Sequence, residues 1–167
     1  DIYLLEKKLA IEYNGIYWHS TRLLEKKYHL EKTIKCEKAG VQLLHIYDIE
    51  WETKQNIWKS IILSKLGKAT KIFARKCTIK LVQSKEANEF CSKNHLSGVS
   101  HSKANIGLYY DNELVSLITF AKPRFNKKHD WEIIRFCNKL NTQVVGGASK
   151  LFSHFVKEYN PNSIITY

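Results

Sequence analysis

Glu12 stands inside the run Leu9-Ala10-Ile11-Glu12-Tyr13, whose branched and apolar content is that of a buried strand. A core strand does not favour a carboxylate, because burying one unpaired costs several kcal/mol, on the order of any desolvated charge. Glu12 therefore needs a cation, a metal or water beside it. With Asp1 upstream and His19 downstream, past the turn that Gly15 permits, the pattern is that of a metal-dependent hydrolase. Asp1 and Glu12 on neighbouring antiparallel strands could cage Mg²⁺ with its waters. A metal there would polarise a phosphodiester and lower the pKa of bound water, and His19 could act as general base or acid near neutrality. His29 and Lys32, three residues apart in Tyr28-His29-Leu30-Glu31-Lys32, share one helix face and are expected to orient or neutralise a phosphate. Each residue alone also has a bland reading: Asp1 solvated, Glu12 paired with a lysine, His29 at a surface. Their conjunction around one strand–turn–helix unit favours the functional one.

A second group lies at Gln143-Val144-Val145-Gly146-Gly147-Ala148, expected to follow a strand and open a helix. Glycines there would let backbone N–H groups approach a phosphate, and the helix N-terminus adds a favourable dipole. The bland reading is a tight turn with Ala148 packing close. Arg124, Lys127 and Lys128 are expected on loops as DNA-binding residues, with His95 and His101 on loops as well. Tyr109 and Tyr110 read as one core and one surface residue rather than a base-stacking platform.

The elements that must position these groups follow from periodicity. Residues 1–5 and 9–14 read as a strand pair around the polar turn Glu6-Lys7-Lys8. Residues 20–39 read as a helix capped by Gly40, residues 41–47 as a strand apolar enough to be central, and residues 52–66 as a helix ended by Gly67. That order argues a small α/β sandwich over residues 1–68. Lys68 to Lys71 reads as a linker. Residues 72–167 then form a second lobe: a strand at 76–83, a helix at 85–94, and a hairpin of 106–110 and 114–121 around Asp111-Asn112-Glu113. A strand at 131–137, a helix at 148–159 and a final strand complete it. The chain lacks methionine and closes on Ile164-Ile165-Thr166-Tyr167, so truncation at both ends is expected.

The net charge of +11 is uneven. Residues 1–70 carry 12 Lys+Arg against 9 Asp+Glu (+3), and residues 71–167 carry 15 against 7 (+8). Such a basic surface points to nucleic acid as partner, through phosphate contacts that release counterions, against the bland reading that many small basic proteins bind nothing in particular. No apolar run approaches the roughly 20 residues of a membrane helix and no signal peptide opens the chain. Cys36, Cys77, Cys91 and Cys137 form no C-x-x-C pair, which argues against structural zinc and a disulfide framework and for a reducing, cytoplasmic home.

Asp1 and Glu12-x-Asn14, followed by helix and strand, resemble the PD-(D/E)XK nuclease core. The run Asn14-Gly15-Ile16-Tyr17-Trp18-His19 is similar to the G-C-F-W-H run of the very short patch repair endonucleases. With His29-Leu30-Glu31-Lys32-Thr33, Gly40-Val41-Gln42-Leu43-Leu44-His45-Ile46 and Glu50-Trp51, residues 1–68 resemble phage-type homing endonucleases with a Vsr-like catalytic domain. The resemblance implies a Mg²⁺-dependent endonuclease with double-stranded DNA as partner, acting in the host cell of a phage. In it Asp1 falls at the metal-binding aspartate, Glu12 at the second acid of the nuclease core, and His19 at a catalytic histidine. Asn14 departs from the pattern, standing where the nuclease core has lysine and the repair enzymes a second histidine. That role is then vacant or falls to His19, His29 or Lys32. Gln143, Gly146, Gly147 and Ala148 match the Q/R-x-x-G-x-G/A element with which the GNAT family of N-acyltransferases holds the pyrophosphate of acyl-CoA. The element order from Cys77 on is similar to that fold and to phage Mom-like DNA-modifying proteins. That resemblance implies, as alternatives, an acyltransferase modifying DNA bases or a degenerate, non-catalytic fold that grips DNA.

Overall fold

A computed structural model describes residues 1–15 and 23–167, the side chains of residues 23–27 excepted. The chain is mixed α/β and divides into two compact units, Asp1–Leu66 and Gly67–Tyr167.

In the first unit, β1 (Ile2–Leu4) and β2 (Leu9–Asn14) pair antiparallel across a 3-10 turn at Leu5–Lys7. Lys8 closes that turn in the left-handed region, at φ 47°. Helix α1 (Leu23–Lys38) carries the chain to β3 (Gln42–Tyr47), which pairs parallel with β2. Gly40, at φ +66°, lets the chain reverse after α1, and the N–H groups of Gly40 and Val41 satisfy the carbonyls of Glu37 and Cys36. Helix α2 (Asp48–Lys65) starts directly at the end of β3, earlier than its periodicity indicates, and is interrupted by a non-helical Lys54. The strand order is β1-β2-β3, so β2 is central and β3 an edge, the reverse of what the apolarity of residues 41–47 predicts. Helices on a three-stranded sheet can cover an apolar edge strand, so apolar content alone does not place a strand centrally. Among the described residues of this unit, Leu9, Ile46, Ile57 and Trp58 are the buried apolar ones.

The second unit opens with β4 (Thr70–Phe73), so half of the expected linker is strand. It pairs parallel with β9 (Thr142–Val145), more than 60 residues on. The main sheet, in the order β10-β8-β7-β6-β5, is built from β5 (Thr78–Leu81), β6 (Ala104–Tyr110), β7 (Glu113–Ala121), β8 (Trp131–Asn138) and β10 (Ile164–Ile165). The β6–β7 turn is two residues, Asp111 and Asn112, both at positive φ, the backbone a tight hairpin requires. On one face α3 (Ser84–Asn94) packs Ala87 and Cys91 on Leu114, Leu117 and Cys137. On the other, α4 (Gly147–Tyr159) packs Leu151 and Phe155 on Ile106, Leu108 and Phe120, with Phe155 stacked on Phe120. Among the described residues no helix is long and apolar enough to cross a membrane.

Candidate functional site

Asp1 precedes β1, whose register sets Ile2 opposite Ile11; one step further, Asp1 stands opposite Glu12. Residues opposite each other on antiparallel strands share a face. The parallel register of β2 with β3 sets His45 beside Glu12 on that same face. Helix α1 brings one face of His29, Lys32 and Thr33 to the group.

The contacts converge on Glu12, only 5% exposed. Lys32 Nζ donates to Glu12 Oε1 at 2.6 Å and to Asp1 Oδ2 at 2.7 Å. On the other carboxylate oxygen, Oε2, converge His45 Nδ1 at 3.0 Å and His29 Nδ1 at 3.6 Å. The two imidazoles meet edge to face, with centroids 5.5 Å apart. Burial by itself would raise the Glu12 carboxyl, but the Lys32 ammonium, by hydrogen bond and charge, and the His45 and His29 imidazoles outweigh it. The group is held below its ordinary value of 4.5.

That direction fixes the sign of an acid effect. As pH falls through 4.5 the unfolded carboxylate takes up its proton before the folded one, so the contribution of Glu12 to stability is full above that value and lost below it. The stability gap between the native chain and Glu12→Gln should narrow as pH falls from about 6 to about 3. Urea midpoints measured at each pH check this.

Asp1 and Glu12 thus converge, as the hairpin predicts, but on an ammonium: Lys32 fills the space between them. The lysine that pairs with Glu12 in the bland reading is a member of the cluster itself. Among the described residues, the donors left on the far side of Glu12 are two imidazole nitrogens and one carboxylate oxygen, all within 4.8 Å of one another. This set differs from the oxygen ligands and waters that Mg²⁺ prefers. Sequence reasoning missed His45. The signal was there, an ionisable group inside the apolar run Leu43-Leu44-His45-Ile46, the same anomaly that singled out Glu12. His19 lies outside the described residues. Asn14 is buried at the end of β2, its Nδ2 3.5 Å from His45 Nδ1.

The second unit distributes its expected residues differently. Arg124 is bound through its backbone N–H, Nε and Nη2 to Glu132, a fully buried residue of β8, at 2.6–2.9 Å. The Arg124 guanidinium, through those hydrogen bonds and its charge, holds the Glu132 carboxyl below its ordinary value against the opposing effect of burial. Lys127 and Lys128 are exposed on the same loop. His95 follows α3, its Nδ1 accepting the Ser97 N–H, and His101 is exposed. Tyr109 and Tyr110 are both half-buried on opposite sheet faces, Tyr109 donating to Glu86.

Gln143 lies within β9, rather than after a strand. Gly146, at φ +77°, turns the chain into α4. A Cβ on Gly147 would sit 3.0 Å from Val144 and 3.5 Å from Leu108, so this glycine lets the helix close on the sheet. Ala148 is exposed rather than packed. Beside the turn, Lys150 spends its ammonium on the Ala74 and Cys77 carbonyls. No protein-family model, no curated protein and no solved structure matches the chain.

Proposed function

We propose that this chain is a metal-dependent DNA endonuclease of the phage homing type, its first unit Vsr-like and catalytic and its second a basic GNAT-like lobe that grips the duplex. The observation that carries the reading is one buried carboxylate, Glu12, met by an ammonium on one oxygen and by two imidazoles on the other. The first arrangement is that of a structural ion pair; the second adds two nitrogen donors that could serve as metal ligands.

Lys32 supplies from a helix the positive charge that the resembled nuclease core places where this chain has Asn14. Its ammonium neutralises a phosphate oxygen brought against Asp1 and Glu12, while those two acids keep its charge in place. A divalent ion held beside Glu12 would lend Lewis acidity to the phosphodiester. In the hydrolysis, water forms the new bond to phosphorus as the bond to the leaving oxygen breaks. The water's proton passes to a base, for which His19 is the candidate, and the departing oxygen takes one up. Incubating the chain with supercoiled plasmid and a divalent metal, with and without EDTA, tests the reading; an intact plasmid under all conditions refutes it.

For the second unit, the fit of Gly147 against Val144 and Leu108 favours a structural glycine turn over an acyl-CoA cradle. The DNA-gripping role rests on the +8 charge and on exposed Lys127 and Lys128. Replacing both lysines by alanine should lower the salt slope of DNA affinity by about 1 per lysine lost, measured in EDTA by fluorescence anisotropy. An unchanged slope removes that loop from the interface.

A further inference from the structure

We infer that Glu12, His29 and His45 form a three-donor site for one borderline transition-metal ion of the Mn²⁺, Co²⁺ or Zn²⁺ kind, with Thr33 setting the tautomer of one ligand. The inference deepens the proposed function, and rests on it only for what the ion does.

Donors about 2.0–2.2 Å from a tetrahedral ion stand roughly 3.3–3.6 Å apart. Glu12 Oε2 lies 3.6 Å from His29 Nδ1 and 3.0 Å from His45 Nδ1, and a shift of a few tenths of an ångström in the latter admits an ion. Among the described residues Oε2 is buried and accepts no hydrogen bond of good geometry, whereas Oε1 has Lys32. The carboxylate is divided between two cation sites, one of which already holds an ammonium.

The Thr33 hydroxyl then fixes the proton on His45. Its single hydrogen goes to the His29 carbonyl at 2.8 Å, so toward His45 Nε2, at 3.0 Å, the oxygen can only accept. Nε2 therefore carries a hydrogen, and in the neutral ring Nδ1 presents its lone pair to Glu12 Oε2. Two lone pairs facing each other at 3.0 Å require a cation between them. A hydrogen bond from the non-ligating nitrogen to a neighbouring group is how metal-bound histidines are oriented. Two imidazoles and a carboxylate suit Zn²⁺, Co²⁺ or Mn²⁺ and leave coordination positions for water or a phosphate oxygen, whereas Mg²⁺ takes oxygen donors. The competing occupant is a proton, which would make His45 an imidazolium paired with Glu12.

The test is titration of the metal-stripped full chain with Co²⁺, read by its visible d–d absorption. The expected result is saturation at one equivalent without a thiolate charge-transfer band, although the cysteines are free. Zn²⁺ should displace the Co²⁺ and millimolar Mg²⁺ should not. Glu12→Gln and His45→Ala should abolish the bands, and Thr33→Val should weaken binding about 10- to 100-fold at unchanged stoichiometry. Absence of the bands, their persistence in Glu12→Gln, or displacement by Mg²⁺ overturns the inference. The competition arm needs no variant, so misfolding of a mutant cannot shelter it. Co²⁺ binding in a chain that never cuts DNA would leave this site standing and refute the endonuclease reading; cleavage without Co²⁺ binding would do the reverse.

Discussion

Glu12→Gln should reduce the proposed DNA cleavage to background while leaving DNA affinity within about twofold. The amide keeps the shape of the carboxylate but loses the charge that both Lys32 and the imidazole pair require. Its oxygen can still accept from Lys32, so the strand–helix contact survives, whereas its NH₂ now faces the imidazoles as a donor and drives off any cation. Lys127 and Lys128, which are proposed to grip the DNA, are elsewhere in the chain and are untouched. Losing one such group from a hydrolytic centre costs at least the two to four orders of magnitude, roughly, that a general acid or base contributes. Single-turnover cleavage of a labelled duplex, set against anisotropy in EDTA, separates the two effects. Retention of more than a tenth of the native rate would exclude Glu12 from the chemistry.

Arg124→Ala is expected to act on stability before it acts on DNA. It strips a fully buried carboxylate, Glu132, of its guanidinium partner. Removing one partner of a buried pair costs ~3–5 kcal/mol, and the low end, ~3 kcal/mol, applies because the Arg124 side chain is 44% exposed and water can reach the vacated place. For a unit of this size that lowers Tm by more than about 10 °C. Lys127→Ala, at an exposed position on the same loop, should stay within about 0.5 kcal/mol of the native chain. Thermal unfolding of both variants decides the matter. Equal stabilities would mean that Arg124 is free to serve the duplex, as its type and loop position imply when the sequence is read alone.

These two residues mark what the sequence exposes and what it hides. Asp1 and Glu12 meet because a short antiparallel pair has its register set by the turn, which is local information. His29 and Lys32 share a face through helical periodicity, equally local. His45 stands beside Glu12 only because a strand reached through a whole helix pairs in parallel at one register of several, and no local rule selects it. β4 was hidden for the same reason: Gly67-Lys68-Ala69-Thr70 is small and polar, and its partner β9 lies far along the chain. Arg124 and Glu132 are eight residues apart across a loop, so their pairing depends on how that loop folds back over the sheet.

The central claim is that the Glu12 cluster cuts DNA with a bound metal. The measurement that bears on it most directly is the single-turnover cleavage rate of a duplex as metal is titrated into the stripped chain, run beside the Co²⁺ absorption titration. The rate should rise from background and saturate at the same metal equivalence as the absorption, and fall back to background in EDTA. A rate that is unchanged by EDTA, or that saturates without any occupancy at Glu12, His29 and His45, contradicts it.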